Sequence, residues 1–217
     1  IVNMIARSKA ASTEERIIEA VKRIEGAFSL VVATNEKLIG VRDPNGFRPL
    51  CLGKTEHGYV LSSETCALDA IKADFIRHID PGEMVVIDDS GVRSIMYVPQ
   101  EEKVQKALCV FEYIYFARSD SNIDGQSVYM ARLNMGRELA RETKYDADLV
   151  MSIPDSGTTA ALGYSRESGI PFGEGLIKNR YMGRTFIKPD QKQRDLAVRM
   201  KLNAVPEVVA GKRIVLI

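Results

Sequence analysis

The sequence predicts two folds in succession, an α+β fold over residues 1–98 and an α/β fold with a doubly wound parallel sheet over residues 107–217. Three observations predict this division. The first part has one capped helix followed by short β-rich runs, and the second part alternates apolar strands with helices. Between them, residues 99–106 are charged and lack an apolar stripe. We therefore expect two domains joined by a linker at 99–106.

The α+β part begins with a helix whose start is marked by a capping box. In Ser12-Thr13-Glu14-Glu15 the Ser12 hydroxyl and the Glu15 carboxylate can each satisfy a free backbone amide, and apolar residues follow at helical spacing to about residue 25. A short helix is expected to start at Ser62 or Ser63, and Asp89-Ser90-Gly91 predicts a hairpin turn. The β-rich runs predict an antiparallel meander and a final hairpin, with strands at residues 27–33, 38–41, 48–52, 59–62, 83–88 and 92–97.

The α/β part is predicted from the alternation of its elements. An aromatic run and two short apolar runs read as strands, with amphipathic segments between them. The last run has the composition of a buried parallel strand. The predicted elements are a strand at 108–116, a helix at 126–143, a strand at 149–153, a helix at 159–168 and a strand at 214–217.

Composition and charge limit the partners and the compartment. A formal net charge of +1 argues against a partner bound by the whole surface, such as duplex DNA or an anionic membrane. No apolar run approaches the roughly 18 residues that cross a bilayer. Three cysteines without a C-x-x-C motif favour a reduced, cytoplasmic compartment. The start, Ile1-Val2-Asn3-Met4, lacks an initiator methionine, so we expect the sequence to be an internal piece of a longer protein.

One turn combines residues that can bind an anion. It comprises Asp155, Ser156, Gly157 and Thr158, which follow a predicted buried strand and precede a predicted helix. Backbone amides and hydroxyls at a helix N-terminus form an anion-binding concavity, and ligands of open α/β sheets bind beyond the carboxyl ends of the strands. Ordinary helix capping by the same residue types is the alternative interpretation.

A basic segment follows this turn. Eight Lys or Arg and only two Asp lie between Lys178 and Lys201, interleaved with Gly183, Tyr181 and Phe186. Such a run is usually a solvated face. Its position after the anion-binding turn favours a mobile cationic lid that closes over a polyphosphate and neutralises a leaving pyrophosphate.

Residues 42–49, Arg-Asp-Pro-Asn-Gly-Phe-Arg-Pro, join two predicted strands, and a plain structural turn explains much of this motif. Together with Gly26-Ala27-Phe28-Ser29 and Ser62-Ser63-Glu64, the motif resembles the later half of the glutaminase domain of the amidophosphoribosyltransferase family. The resemblance implies part of an N-terminal-nucleophile glutaminase sandwich over residues 1–98. The family's nucleophile, a cysteine that begins the mature chain, is expected to precede these residues.

The second part resembles the phosphoribosyltransferase half of the same family through Phe111-Glu112-Tyr113-Ile114-Tyr115-Phe116-Ala117-Arg118 and the basic segment. The resemblance implies part of a type I phosphoribosyltransferase fold over residues 107–217. It implies that the turn at 155–158 is the loop that binds pyrophosphate, with Ser156 as a ligand of Mg²⁺. It also implies a flexible catalytic loop that includes Lys178, Arg180, Tyr181, Arg184 and Lys201.

Three further features follow from the resemblance alone. The family's ammonia channel would be lined by Tyr115, Phe186 and Ile187. Cys109 stands where some members of the family hold the first ligand of a [4Fe–4S] cluster, whereas others keep a cysteine here without a cluster. The acidic pair that holds the ribose of phosphoribosyl pyrophosphate (PRPP) is expected directly after Ile217.

The implied activity forms 5-phosphoribosylamine, glutamate and pyrophosphate from PRPP, glutamine and water, the first committed step of purine synthesis. The implied partners are PRPP, glutamine, purine nucleotides as feedback inhibitors and further copies of the chain in a tetramer, without nucleic acid or membrane. The alternative is a non-catalytic protein of the same fold that binds PRPP or nucleotides as a regulator or scaffold. For residues 1–217 alone we expect no glutaminase activity and weak PRPP affinity.

Overall fold

The computed structural model describes residues 1–99, 105–183 and 189–217. The chain divides into two compact units. The first unit comprises Ile1–Glu112 and Ser121–Gly125, and the second comprises Tyr113–Asp120 and Gln126–Ile217. Across the described residues no helix has the length and apolar character needed to span a bilayer.

The described residues of the first unit form three helices and eight strands. In chain order they are α1 Val2–Arg7, α2 Thr13–Val21, β1 Ser29–Ala33, β2 Leu38–Arg42, β3 Cys51–Thr55, β4 Gly58–Ser62, α3 Thr65–Ala70, β5 Asp74–His78, β6 Glu83–Asp88, β7 Gly91–Met96 and β8 Asn122–Ile123.

Two antiparallel sheets form the centre of this unit, in the orders β1-β2-β6-β7 and β4-β3-β5. Because side chains alternate along a strand, β6 serves two cores. Its Met84 and Val86 pack with Ile17 of α2, whereas Val85 packs with Leu52 of β3. The sequence pattern could not show this, since β6 is buried on both faces and lacks polar alternation.

The helix starts were predicted with unequal success. The capping box of α2 is confirmed, because Ser12 Oγ accepts the Glu15 amide and Glu15 Oε2 accepts the Ser12 amide, at 3.2 Å and 3.1 Å. The short helix expected after Ser62 or Ser63 is present as α3, but the predicted cap was wrong, since Glu64 is its N-cap and no side chain caps it. The single meander was also wrong, because β2 pairs with β6 rather than with β3.

The second unit contains a short strand at Gln126–Ser127 (β9) and then alternating helices and strands. The further elements are α4 Val128–Glu142, β10 Leu149–Met151, α5 Thr158–Ser168, β11 Leu176–Lys178, α6 Gln191–Lys201, β12 Leu202–Ala204, α7 Pro206–Val209 and β13 Ile214–Leu216. The strands β10 and β13 are parallel neighbours, and Val150 forms a parallel bridge with Phe172. A mixed α/β fold is therefore confirmed.

Helices α4 and α5 approach closely through two glycines. A Cβ on Gly136 would lie 1.8 Å from the carbonyl oxygen of Ala160, and one on Gly163 would lie 2.0 Å from that of Leu133. No larger residue fits either position without separating the helices. The contact holds α5, whose first turn carries the candidate site.

The aromatic run predicted as a strand at 108–116 was wrong. Glu112–Phe116 forms a π-helical turn. Arg132 of α4, 4% exposed, donates to the carbonyl oxygens of Tyr113 and Ala117 at 2.5 Å and 2.8 Å. Because these carbonyls are bound by an arginine 15 or more residues along the chain, local β propensity does not decide the conformation.

Candidate functional site

The candidate site is the turn between β10 and α5, which we name the anion loop, residues 152–158. Ser152 is buried, and its hydroxyl lies 3.1 Å from that of Thr158. The Gly157 amide donates to the Ile153 carbonyl oxygen at 3.2 Å, and the Thr158 amide donates to that of Asp155 at 3.3 Å. The loop is thus closed by its own hydrogen bonds at the carboxyl end of β10.

Gly157 is required here by a close approach of the backbone. A Cβ at this position would lie 2.5 Å from the carbonyl oxygen of Ile217, which follows β13. The same oxygen accepts the Ile153 amide at 2.7 Å. The loop therefore lies against the carboxyl ends of both parallel strands, the edge at which ligands of such sheets bind.

The first turn of α5 has no side-chain cap. Gly157 is its N-cap residue and no side chain accepts a hydrogen bond from the cap amides. Ordinary capping, the alternative interpretation of this sequence, is therefore not what the loop residues do. An uncapped helix N-terminus presents partial positive charge, which favours an anion.

A two-stranded ribbon places the ends of the basic segment side by side. The strands β11 and β12 are antiparallel, with Lys178 opposite Leu202. The Asn179 amide donates to the Lys201 carbonyl oxygen at 2.7 Å. The ribbon thereby brings together Lys178 and Lys201, which are far apart in sequence.

Lys178 is directed at the anion loop. Its ammonium group forms an ion pair with Asp155, in which the Lys178 side chain is 26% exposed and that of Asp155 is 74% exposed. Lys201 Nζ donates to the Gly183 carbonyl oxygen at 3.0 Å. Because the Asp155 carboxylate is exposed, an anionic ligand can compete with it for the ammonium group of Lys178.

The other residues predicted for the flexible loop are exposed or lie outside the described residues. Tyr181 is 98% exposed, and Arg180 is also exposed. Arg184 belongs to residues 184–188, which are outside the described residues. Part of the basic segment is the helix α6, whose N-cap Asp190 accepts the Gln193 amide at 2.8 Å. The Asp-x-x-Gln spacing is a helix-start signal that sequence reasoning missed.

Four residues are predicted, from the resemblance, to line the ammonia channel or to bind the [4Fe–4S] cluster. Tyr115 is 63% exposed, and its ring packs edge-on against that of Phe116 with 6.0 Å between the ring centroids. Phe186 and Ile187 lie outside the described residues. Cys109 is half-buried. In the described part of the chain no three His, Cys, Asp or Glu residues are grouped to hold a metal. Ser156 Oγ has no hydrogen-bond partner among the described residues, so its oxygen is available to a hard cation such as Mg²⁺.

The two remaining cysteines and both histidines lie outside these motifs, and the sequence predicts that Cys51 and Cys66 are buried and that His57 and His78 lie at the surface or in turns. Cys51 and Cys66 are buried, as predicted. Burial raises the pKa of the Cys51 thiol to about 11. His57 is exposed in a turn. His78, which we expected at the surface, is half-buried in β5, and burial lowers its pKa.

Comparison with known proteins places these features in context. The family described as a glutamine amidotransferase domain matches residues 4–70. An amidophosphoribosyltransferase of Archaeoglobus fulgidus is 49% identical over 214 residues, covering 97% of this chain and 46% of that protein. Its counterpart in Synechococcus elongatus is 55% identical over 205 residues, covering 93% of this chain and 41% of that protein.

The fold is similar to that of a solved structure over the whole chain. Glutamine PRPP amidotransferase from B. subtilis, complexed with ADP and GMP, has a TM-score of 0.89 and 45% identity, covering 99% of this chain and 47% of that one. The chain spans about half the length of the relatives it matches.

Proposed function

Because the chain belongs to the amidophosphoribosyltransferase family over nearly its whole length, we propose that the full-length protein makes 5-phosphoribosylamine. Glutamine is hydrolysed to glutamate and ammonia, and ammonia displaces pyrophosphate from PRPP. In this proposal residues 1–98 are part of the glutaminase domain and residues 107–217 part of a type I phosphoribosyltransferase domain, joined at 99–106.

The observation that carries the proposal is the pairing of the uncapped anion loop with a lysine. The loop offers the amides of a helix N-terminus, and the ammonium group of Lys178 reaches the same loop at Asp155. A pyrophosphate group needs both, because amides fix its position and a cation neutralises its charge. We assign Asp155, Ser156, Gly157 and Thr158 to pyrophosphate binding.

The basic segment supplies charge to the transition state. As the bond from ribose to pyrophosphate breaks, negative charge grows on the departing oxygen, and a cation in place lowers the barrier. Lys178 and Lys201 stand at the two ends of the segment, joined by the β11–β12 ribbon. The segment can therefore close over the ligand with both ends held, and it carries Arg180, Tyr181 and Arg184 with it.

A magnesium ion fits the proposed site. Ser156 would hold it through the hydroxyl, which is an oxygen donor with no other partner among the described residues. When bound, Mg²⁺ supplies positive charge to the pyrophosphate oxygens. The chain's own residues then hold the pyrophosphate and exclude water.

The other roles suggested by the resemblance stay proposals for the full-length protein. Tyr115, Phe186 and Ile187 would line an apolar path that keeps ammonia unprotonated. Cys109 would be the first ligand of a [4Fe–4S] cluster in members that hold one. Purine nucleotides as feedback inhibitors are supported by the B. subtilis relative, which was solved with ADP and GMP. A cytoplasmic homotetramer completes the proposal.

The test is an assay of the full-length protein with glutamine, PRPP and Mg²⁺, following glutamate and pyrophosphate. In Lys201→Gln, loss of a charged contact worth about 1.5–3 kcal/mol should lower kcat/KM for PRPP by about ten-fold or more. Glutamine hydrolysis should persist. Lys144→Gln, which removes an exposed charge of the second unit outside the basic segment, is the matched control and should behave as wild type.

Absence of PRPP-dependent glutamate from the wild-type protein would refute the proposed function. Equal loss of hydrolysis and transfer in Lys201→Gln would refute the assignment of that residue to PRPP. PRPP binding without any turnover would favour the alternative, a regulatory or scaffold protein.

A further inference from the structure

The chain passes between its two compact units at three places. It leaves the first unit after Glu112, returns for Ser121–Gly125 and leaves again before Gln126. We name Ser121–Gly125 the crossing strap. Its neighbours in sequence on both sides belong to the second unit, although the strap itself belongs to the first. Contacts that hold the crossing strap therefore fix the chain at two of the three crossings, the places where it passes between the units.

The strap is bound to the start of α3. Ser121 Oγ donates to Glu64 Oε2 at 2.6 Å, and the Asn122 amide donates to Thr65 Oγ1 at 2.8 Å. Ile123 is 1% exposed and so belongs to the core. These two hydrogen bonds and the burial of Ile123 attach the strap to the first unit without the next residue, Asp124.

Asp124 instead forms an ion pair with a buried arginine. Arg42, 1% exposed, donates from Nη1 and Nη2 to the two carboxylate oxygens of Asp124 at 2.9 Å and 2.8 Å. Its remaining N–H groups donate to the carbonyl oxygens of Arg48, Ile79 and Gly46 at 2.8 Å, 2.7 Å and 3.1 Å. Every guanidinium hydrogen is used, so the fork cannot turn and it defines where Asp124 must lie.

The same turn holds the first crossing. Arg48 Nη1 donates to Glu112 Oε1 at 2.7 Å, and Glu112 is 5% exposed. The Cys109 amide donates to the Phe47 carbonyl oxygen at 3.2 Å, which lays the preceding segment along the turn. Residues 42–48 therefore hold the chain at Glu112 and again at Asp124.

Neither the proposed anion loop nor the basic segment uses this turn. Asp43, fully buried, stabilises the turn through the amides of Asn45, Phe47 and Arg48 at 3.0 Å, 3.1 Å and 3.2 Å. A structural turn is thus part of the explanation for the motif. The turn alone does not explain why Arg42 and Arg48 both donate hydrogen bonds to acidic residues at the crossings.

We propose that Arg42 and Asp124 are positioning residues for the combined reaction, and that Arg48 and Glu112 share this role. Their ion pairs fix the first unit's ends of the crossings, so that ammonia released in one half-reaction is used in the other. The proposed function assigns none of the four to the binding of PRPP or pyrophosphate. The inference rests on the proposed function, because it requires two half-reactions whose products can be counted separately.

The test compares two aspartates in the full-length protein. Asp124→Asn removes a carboxylate that receives two hydrogen bonds from one arginine. Asp148→Asn is the matched control. The Asp148 carboxylate accepts hydrogen bonds from Arg213 Nε and Nη2 at 3.2 Å and 2.9 Å, and both residues belong to the second unit. Glutamate and pyrophosphate are measured in the same reaction, and pyrophosphate is measured again with ammonium chloride in place of glutamine.

Wild type and Asp148→Asn should release one glutamate per pyrophosphate. In Asp124→Asn that ratio should rise at least about five-fold, the lower end of coupling between two sites. Ammonium-dependent pyrophosphate release should persist, because the site of transfer is intact. A merely structural role would lower all three activities together and leave the ratio at one.

A ratio of one in Asp124→Asn, with the wild type active, would overturn this inference and leave the proposed function standing. So would equal loss of ammonium-dependent and glutamine-dependent transfer. If Asp124→Asn does not fold, Glu112→Gln provides the same test at the first crossing, with the same rise expected and the same result contradicting it. An inactive wild type would instead refute the proposed function.

Discussion

Gly157→Ala tests the geometry of the anion loop most sharply. The added Cβ would lie 2.5 Å from the Ile217 carbonyl oxygen and 3.1 Å from that of Ile153, where ordinary contacts begin at 3.4 Å. The loop or the end of β13 must therefore move by roughly 0.9 Å. The backbone φ of −74° suits alanine, so the effect comes from the contact and not from the backbone conformation.

The cost can be worked out from two opposing effects. Overpacking against backbone costs about 1–3 kcal/mol. Replacing glycine by alanine at a compatible φ recovers about 0.4–1 kcal/mol through the unfolded chain. The net loss of stability is therefore about 0–2.6 kcal/mol, whereas displacement of one amide from a charged ligand removes about 1.5–3 kcal/mol of binding. That corresponds to about a 10- to 150-fold rise in Kd.

Calorimetric titration of PRPP with Mg²⁺ into the full-length protein measures this change. Ser165→Ala is the control, because Ser165 Oγ donates to the Ile170 carbonyl oxygen at 2.7 Å at the other end of α5. It should lower the unfolding midpoint and leave Kd unchanged. Wild-type affinity in Gly157→Ala would refute the assignment of the loop.

Three further predictions concern charge, burial and packing. Burial pushes the Asp124 pKa up, but the hydrogen bonds and charge of Arg42 outweigh it and lower that pKa. The pair therefore stabilises the fold above the ordinary pKa of about 3.9 and loses this effect as pH falls through the lowered value. In acid unfolding, wild type should exceed Asp124→Asn in stability at neutral pH, and the difference should vanish in strong acid; a difference that grows in acid would contradict this. Because burial raises the Cys51 pKa to about 11, iodoacetamide at pH 8 should label Cys109 first by mass spectrometry, and prior labelling of Cys51 would contradict its burial. Arg132→Ala leaves the buried Ala117 carbonyl and the half-buried Tyr113 carbonyl without this donor and should cost about 1–3 kcal/mol by denaturant titration, whereas no measurable loss of stability would show that Arg132 does not hold the π-helical turn.

The elements that sequence predicted well are those decided by neighbours in sequence. The capping box from Ser12 to Glu15 and the hairpin at Asp89-Ser90-Gly91 need only a few residues, and both are present. The aromatic run from Phe111 failed because Arg132 binds its carbonyls from α4. Contacts over that distance leave no local pattern.

The candidate site divides in the same way. The anion loop was located from its strand, glycine and hydroxyls. The pairing of β11 with β12, which unites Lys178 with Lys201, could not be predicted because short exposed strands carry little periodicity. The role of the anion loop in pyrophosphate binding comes from the resemblance and stays a prediction. Likewise, the sequence around Arg42 predicts the turn but not the hydrogen bonds to Asp124, which lies 82 residues further along the chain.

PRPP affinity of wild-type protein and Lys178→Gln, measured at low and high salt, tests the pyrophosphate site most directly. If the anion loop and Lys178 hold pyrophosphate, wild type binds PRPP and the variant binds about ten-fold or more weakly, with a shallower dependence on salt because one screened charge is gone. Equal affinity and equal salt dependence in the two proteins would contradict the assignment.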